Sequence, residues 1–210
     1  MQELKNVDGT SLARFLAGWY GLPEPSGSER GVPRPLAQWY EAVAAGGERV
    51  TQYYQVRPPD GLDEADGRMV FCDDPGGEFV WAYGQDGDDP PTFERAVGEQ
   101  SWRETGFPLS SLLLHVAVAG AVMSARIGLV STDIAGTDFD RAAAHLRKLP
   151  GRLWSWPDPN LSFYEGEGVL AYGGRGGDPA GSQLLIGARD EKFLSSFDGI
   201  GWEWDSRADG

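Results

Sequence analysis

Eleven carboxylates stand between Asp60 and Glu94, and Arg68 is the only base among them. That stretch is 35 residues of 210 and holds 11 of the chain's 32 acids, so the acidity is concentrated rather than spread. Acids at this density can share protons in hydrolysis, hold a hard cation, or meet a basic surface. Asp86, Asp88 and Asp89 resemble the opening of a calcium loop, but its twelfth position falls on Val97 and Pro90-Pro91 follow at once. A glycosidase needs two acids and aromatic platforms. Acids and tryptophans are plentiful here, yet any acidic, aromatic-rich chain passes that test. A surface for a basic partner is the reading the distribution favours. Asp73, Asp74, Glu78, Asp86, Asp88 and Asp89, with Trp81 among them, are its candidate contact residues.

Other chemistry lacks its components. The two histidines, His115 and His145, are thirty residues apart on different predicted helices, and Cys72 is the single cysteine, so no zinc set is expected. Cys72 falls in a predicted strand as a small apolar residue. There is no G-x-S-x-G elbow, and the Gly-rich loop 173–181 has no Gly-Lys-Ser/Thr to cradle a phosphate. No catalytic residue, metal or cofactor is therefore expected. The W-x-W pairs Trp154/Trp156 and Trp202/Trp204 would each put two rings on one strand face. A core layer is the favoured reading for the first pair, and either docking or partner contact for the second.

Net charge sets the class of partner. At −14 the chain repels phosphate backbones and anionic membranes, and it speeds encounter with a basic protein. A lone cysteine and the polar start MQELKNVDGT, with no apolar leader, point to a reducing, cytoplasmic setting. Residues 107–125 carry no charge, but Pro108, His115, Gly120 and three serines interrupt them, so they read as a buried helix rather than a membrane span.

The elements that must position these residues follow from periodicity. Leu12, Phe15, Leu16 and Trp19 mark a helix over 11–20, capped by Thr10 or Ser11 and stopped by Gly21. Pro35, Leu36, Trp39, Tyr40 and Val43 mark a second over 35–45. A strand is expected at 51–56, a hairpin from 68–72 and 78–83 around Asp-Asp-Pro-Gly-Gly, and a short strand at Thr92-Phe93. Helices over 109–124 and 138–148 come next. Strands at 161–164, 168–172 and 183–187 and a short helix at 190–197 complete the chain.

The order of these features resembles the SUKH superfamily, bacterial relatives of the yeast Smi/Knr cell-wall regulators. The resemblance rests on Pro35, Leu36, Trp39 and Tyr40; on F-x-D-D-x-G-G-x-x-x-W from Phe71 to Trp81; on Asp88-Asp89-Pro90-Pro91; and on Trp102 with Leu109 to Leu114. Where that family carries a Glu-Asn-Gln type triplet, this chain has Asp74-Pro75-Gly76. The resemblance implies an α+β fold with a curved antiparallel sheet flanked by helices, here over residues 1–125. Residues 126–210 read as a C-terminal α/β extension packed on the same domain. It also implies an immunity protein, not an enzyme, that neutralises a cognate toxin, often a nuclease or other basic effector. The alternatives are a regulatory scaffold for a cellular protein and, further off, a carbohydrate-binding module or glycosidase.

Overall fold

The computed structural model describes residues 1–28, 31–50, 52–175, 182–198, 204 and 206–209. The chain is α+β, built on two antiparallel sheets, and divides into two compact units: Gln2–Ala117, and Val118–Gly210 with Met1.

In the N-terminal unit, α1 (Ser11–Tyr20) and α2 (Arg34–Gly46) form where the apolar spacing predicts. Gly21 ends α1 in the left-handed region, φ 65°. The expected caps are replaced by a turn around Asp8, whose carboxylate accepts from the Thr10 N–H and hydroxyl at 2.8 and 2.6 Å.

Glu41 on α2 ties down the connector that precedes the helix. The N–H groups of Ser26, Gly27 and Ser28 donate to its carboxylate at 2.7, 3.2 and 2.8 Å. These donors, Ser28 foremost, hold its pKa at about 2, below the ordinary 4.5. A depressed carboxylate stabilises the fold above its ordinary pKa, and that contribution is lost as pH falls from about 4.5 through about 2. Side-chain carboxyl NMR should therefore place the Glu41 midpoint near 2. A midpoint at the ordinary value would contradict this anchoring.

The first sheet has the order β1 (Gln55–Val56), β3 (Arg68–Asp73), β4 (Phe79–Gly84), β5 (Pro91–Ala96), β6 (Arg103–Pro108), with β2 (Asp63–Ala65) also paired to β3. The β3–β4 hairpin matches expectation. The strand expected at 51–56 is cut to two residues, because the chain bends at Tyr53 and Tyr54 to set the Tyr54 ring edge-on to Trp81, 5.2 Å between centroids; Thr51 lies outside the described residues. β2 and β6 were not anticipated.

β6 runs directly into α3 (Leu109–Met123), and the boundary between the two units falls within this helix. It is apolar on every side and buried along most of its length, as such a helix must be. His115 is a core residue, 1% exposed beside Tyr54. Cys72 is fully buried, and burial pushes its thiol up, away from the reactive thiolate. Among the described residues no helix is long and apolar enough to cross a membrane.

The C-terminal unit has its own antiparallel sheet, ordered β12 (Ser206–Asp209), β7 (Ile127–Ile134), β11 (Ser182–Ala188), β10 (Val169–Gly174), β9 (Ser162–Gly166), β8 (Arg147–Lys148). Leu129, Val169, Ala171, Leu184 and Ile186 from the sheet enclose a core with Phe139, Leu194 and Phe197. Gly187 lets β11 lie against the Ala121 carbonyl of α3, a place a Cβ would occupy. The helix expected over 138–148 is α4 (Gly136–Ala143) only. Arg147 and Lys148 pair instead with Glu165 and Tyr164, and the Leu149 N–H donates to Phe163, so the sheet edge takes over where the helix was to continue. Trp154 and Trp156 are buried in and beside a 3-10 turn, Arg152–Ser155, rather than on a strand face. Trp204 packs edge-on against Phe197, while Trp202 and most of the loop 173–181 lie outside the described residues.

Candidate functional site

The acids that crowd together in the sequence are separated by the fold. Asp73 ends β3, and Asp74 and Glu78 belong to the β3–β4 turn; Asp86, Asp88 and Asp89 belong to the β4–β5 loop. These connections sit at opposite ends of the six-residue strand β4, about 20 Å apart at roughly 3.3 Å per residue.

At the β3–β4 end the carboxylates are occupied. Asp73 accepts from Arg57 Nε and Nη2 at 2.6 and 2.7 Å, and Arg57 Nη1 donates to Asp63 at 2.8 Å. This two-pronged pairing fixes the connector before β2 to the end of β3. Asp74 folds its own turn, accepting from the Gly76 and Glu78 N–H groups at 2.9 and 3.3 Å. Of these acids the Glu78 side chain is exposed and unengaged among the described residues. Trp81, also a candidate contact, is 4% exposed and belongs to the core.

The β4–β5 end is different. Arg68 pairs with Ala65 on one side and with Gly84 on the other, so the β2–β3 turn and the β4–β5 loop emerge side by side. The β2–β3 turn is Asp66-Gly67, with φ 53° and 73°, the two positive values that a tight two-residue hairpin requires. Between turn and loop lies a cleft of about 590 Å³, lined by Glu64, Asp66, Arg68, Gly84, Asp86 and Phe93 among others. A second cleft of about 400 Å³ lies beyond the loop, with Arg34, Met69, Tyr83 and Asp88 in its lining, and Gln85 lines both.

Glu64, Asp86 and Asp88 are exposed, and their side chains make no hydrogen bond or ion pair within the described residues. Asp66 is engaged, accepting from Arg95 Nη1 at 3.2 Å and from the Trp102 indole N–H at 3.3 Å. The unengaged acids line the clefts without converging on a point. Among the described residues no three His, Cys, Asp or Glu side chains are placed to hold a metal ion.

Asp89 has a structural duty. Its carboxylate accepts from the Ser110 N–H at 2.8 Å and the Ser110 hydroxyl at 2.7 Å, while the Leu109 N–H donates to the Pro90 carbonyl at 2.9 Å. The β4–β5 loop thus caps α3, with a negative group at the helix N-terminus. Asp89→Ala should cost about 1–2 kcal/mol, read as a lower urea midpoint, and Asp89→Asn should cost less because its amide oxygen can still accept. Equal losses in the two variants would rule out the cap.

Glu64, Asp66, Gly84 and Phe93 were not singled out from the sequence. Their gathering depends on β2, and the one local signal for that strand was the Asp66-Gly67 dipeptide. Comparison with protein-family models, with curated proteins and with solved structures returns no match for this chain.

Proposed function

We propose that the chain is a cytoplasmic binding protein of the immunity type, which neutralises a basic, nuclease-type toxin, and that the β2–β3 and β4–β5 end of the N-terminal unit receives that partner. One observation carries the reading. Glu64, Asp86 and Asp88 stand exposed around two adjoining clefts, their side chains in no ion pair among the described residues, while most of the neighbouring acids are engaged in the fold. Solvated carboxylates around a concavity focus a field that accelerates a basic partner's approach. Carboxylates that only kept the chain soluble would have no reason to gather at clefts.

The resemblance to the SUKH superfamily supports the same reading through one of its motifs: the Asp88-Asp89-Pro90-Pro91 loop lies at this end of the sheet. Binding rather than catalysis is the role proposed.

The test is co-expression and capture with the product of the adjacent gene, comparing the native chain with Glu64→Gln/Asp86→Asn/Asp88→Asn. Asp73 and Asp89 are left intact because the fold uses both. Loss of protection and of capture in the triple variant is expected. Undiminished protection would overturn the proposal.

A further inference from the structure

We propose that the smaller cleft, at the N-terminus of α2, takes an acidic side chain of the protein partner, set among the basic residues that the surrounding carboxylates attract. This rests on the reading of that end as the interaction surface and adds what makes it selective.

Two independent parts of this cleft are hydrogen-bond donors with nothing to donate to. The first is the start of α2. Its N-cap is Pro33, which supplies no side-chain cap. Pro35 has no N–H, and the Leu36 and Ala37 N–H groups both donate to the Pro33 carbonyl, at 3.0 and 3.1 Å. The Arg34 N–H is the donor left over, with no acceptor among the described residues. It stands at the positive end of a helix of 13 residues, where an anion is favoured. The Arg34 guanidinium is likewise in no ion pair among the described residues, in a chain with a large excess of acids.

The second is Tyr83, which lines the same cleft from β4. The residue is only 6% exposed, yet its hydroxyl makes no hydrogen bond among the described residues. A buried hydroxyl ordinarily finds its partner within the fold. This oxygen is not sealed in, so an incoming acceptor can satisfy it. The ring is held against Phe71, 5.8 Å between centroids. Burial pushes the phenol above its ordinary value, so at neutral pH the hydroxyl keeps its proton and can donate.

A main-chain N–H, a hydroxyl and a guanidinium on one cleft suit a single negatively charged acceptor. Asp88 lines the cleft as well, and the chain's net charge is −14, so a phosphate dianion is disfavoured and a carboxylate fits. Asp88 suits a basic residue beside that carboxylate. Val32, Pro33 and Met69 supply apolar wall for the methylene that carries it. The surrounding acids attract any basic protein. A cation and a buried hydroxyl among them favour the partner that presents an acid at the matching place.

The test uses the full chain and amide NMR titration with acetyl-Lys-Asp-Lys-amide and acetyl-Lys-Asn-Lys-amide. Shifts should centre on Arg34, Tyr83 and Gly87, and the Asp peptide should bind about threefold or more tightly. The field of the chain alone predicts the reverse, because the Asn peptide carries one more positive charge. Tyr83→Phe removes only the hydroxyl. It should weaken the Asp peptide about three- to tenfold and leave the urea midpoint of the fold unchanged. Arg34→Gln should bring the two peptides level. Equal or tighter binding of the Asn peptide, shifts centred elsewhere, or an unaltered affinity in Tyr83→Phe would overturn the assignment. If the peptides are not discriminated while the triple carboxylate variant still loses its partner, the surface stands and the carboxylate assignment falls. If the Asp peptide is preferred but the triple variant keeps its partner, the cleft stands and the reading of the surface falls.

Discussion

Trp81→Ala should lower folding stability by about 3–5 kcal/mol, the range for removing a large aromatic side chain from a packed core. Trp81 lies on the middle of β4, paired with Cys72 on one side and Glu94 on the other, and only 4% of it is exposed. Its ring meets Tyr54 edge-on at 5.2 Å, a contact worth about 0.5–1.5 kcal/mol beyond simple burial. The loss should appear as a lower urea midpoint with an unchanged slope. Partner affinity per folded molecule should stay the same. A stable Trp81→Ala protein that no longer binds its partner would instead make Trp81 a contact residue.

The second large effect is on association. Glu64→Gln/Asp86→Asn/Asp88→Asn removes three charges while keeping side-chain size. Focused fields of this kind change on-rates by about 10- to 1,000-fold, and we expect a loss of about 10- to 100-fold at low salt. The difference should shrink as salt rises, because the screening length falls from about 10 Å at 0.1 M to about 3 Å at 1 M. Folding stability should hardly move, since none of the three side chains is paired among the described residues. A large stability loss in the variant would show that these acids serve the structure.

Much of the fold was legible because local signals agreed with the tertiary structure. Leu12, Phe15, Leu16 and Trp19 all turn inward from α1, and the charge-free run after Phe107 is α3. The strands that were missed are ones whose pairing, rather than composition, makes them strands. β2 reads Asp-Glu-Ala, a poor strand sequence, and forms because the Asp66-Gly67 turn folds it onto β3. β6 contains Gly106 and Pro108, which an edge strand tolerates. In β7 the apolar run gives way to Ser131, Thr132 and Asp133, and its partners β11 and β12 come about fifty residues or more later in the chain.

The candidate site was legible by composition and not by arrangement. Asp73, Asp74 and Asp89 carry the same charge as Asp86 and Asp88, but an arginine clamp, a turn and a helix cap engage them. For Asp73 and Asp89 the engaging partners, Arg57 and Ser110, are distant in sequence, and Glu64 joins the cleft only through β2. In the proposed reading the surface expected around the hairpin is narrowed to one end of it, with the buried Trp81 as support rather than contact.

The most direct measurement is the association rate constant with the captured partner across a sodium chloride series, for the native chain and for Glu64→Gln/Asp86→Asn/Asp88→Asn. A steep decline with salt for the native chain, and a slower, flatter profile for the variant that meets it at high salt, is the predicted result. Superimposable profiles would place the partner elsewhere on the molecule and contradict the account.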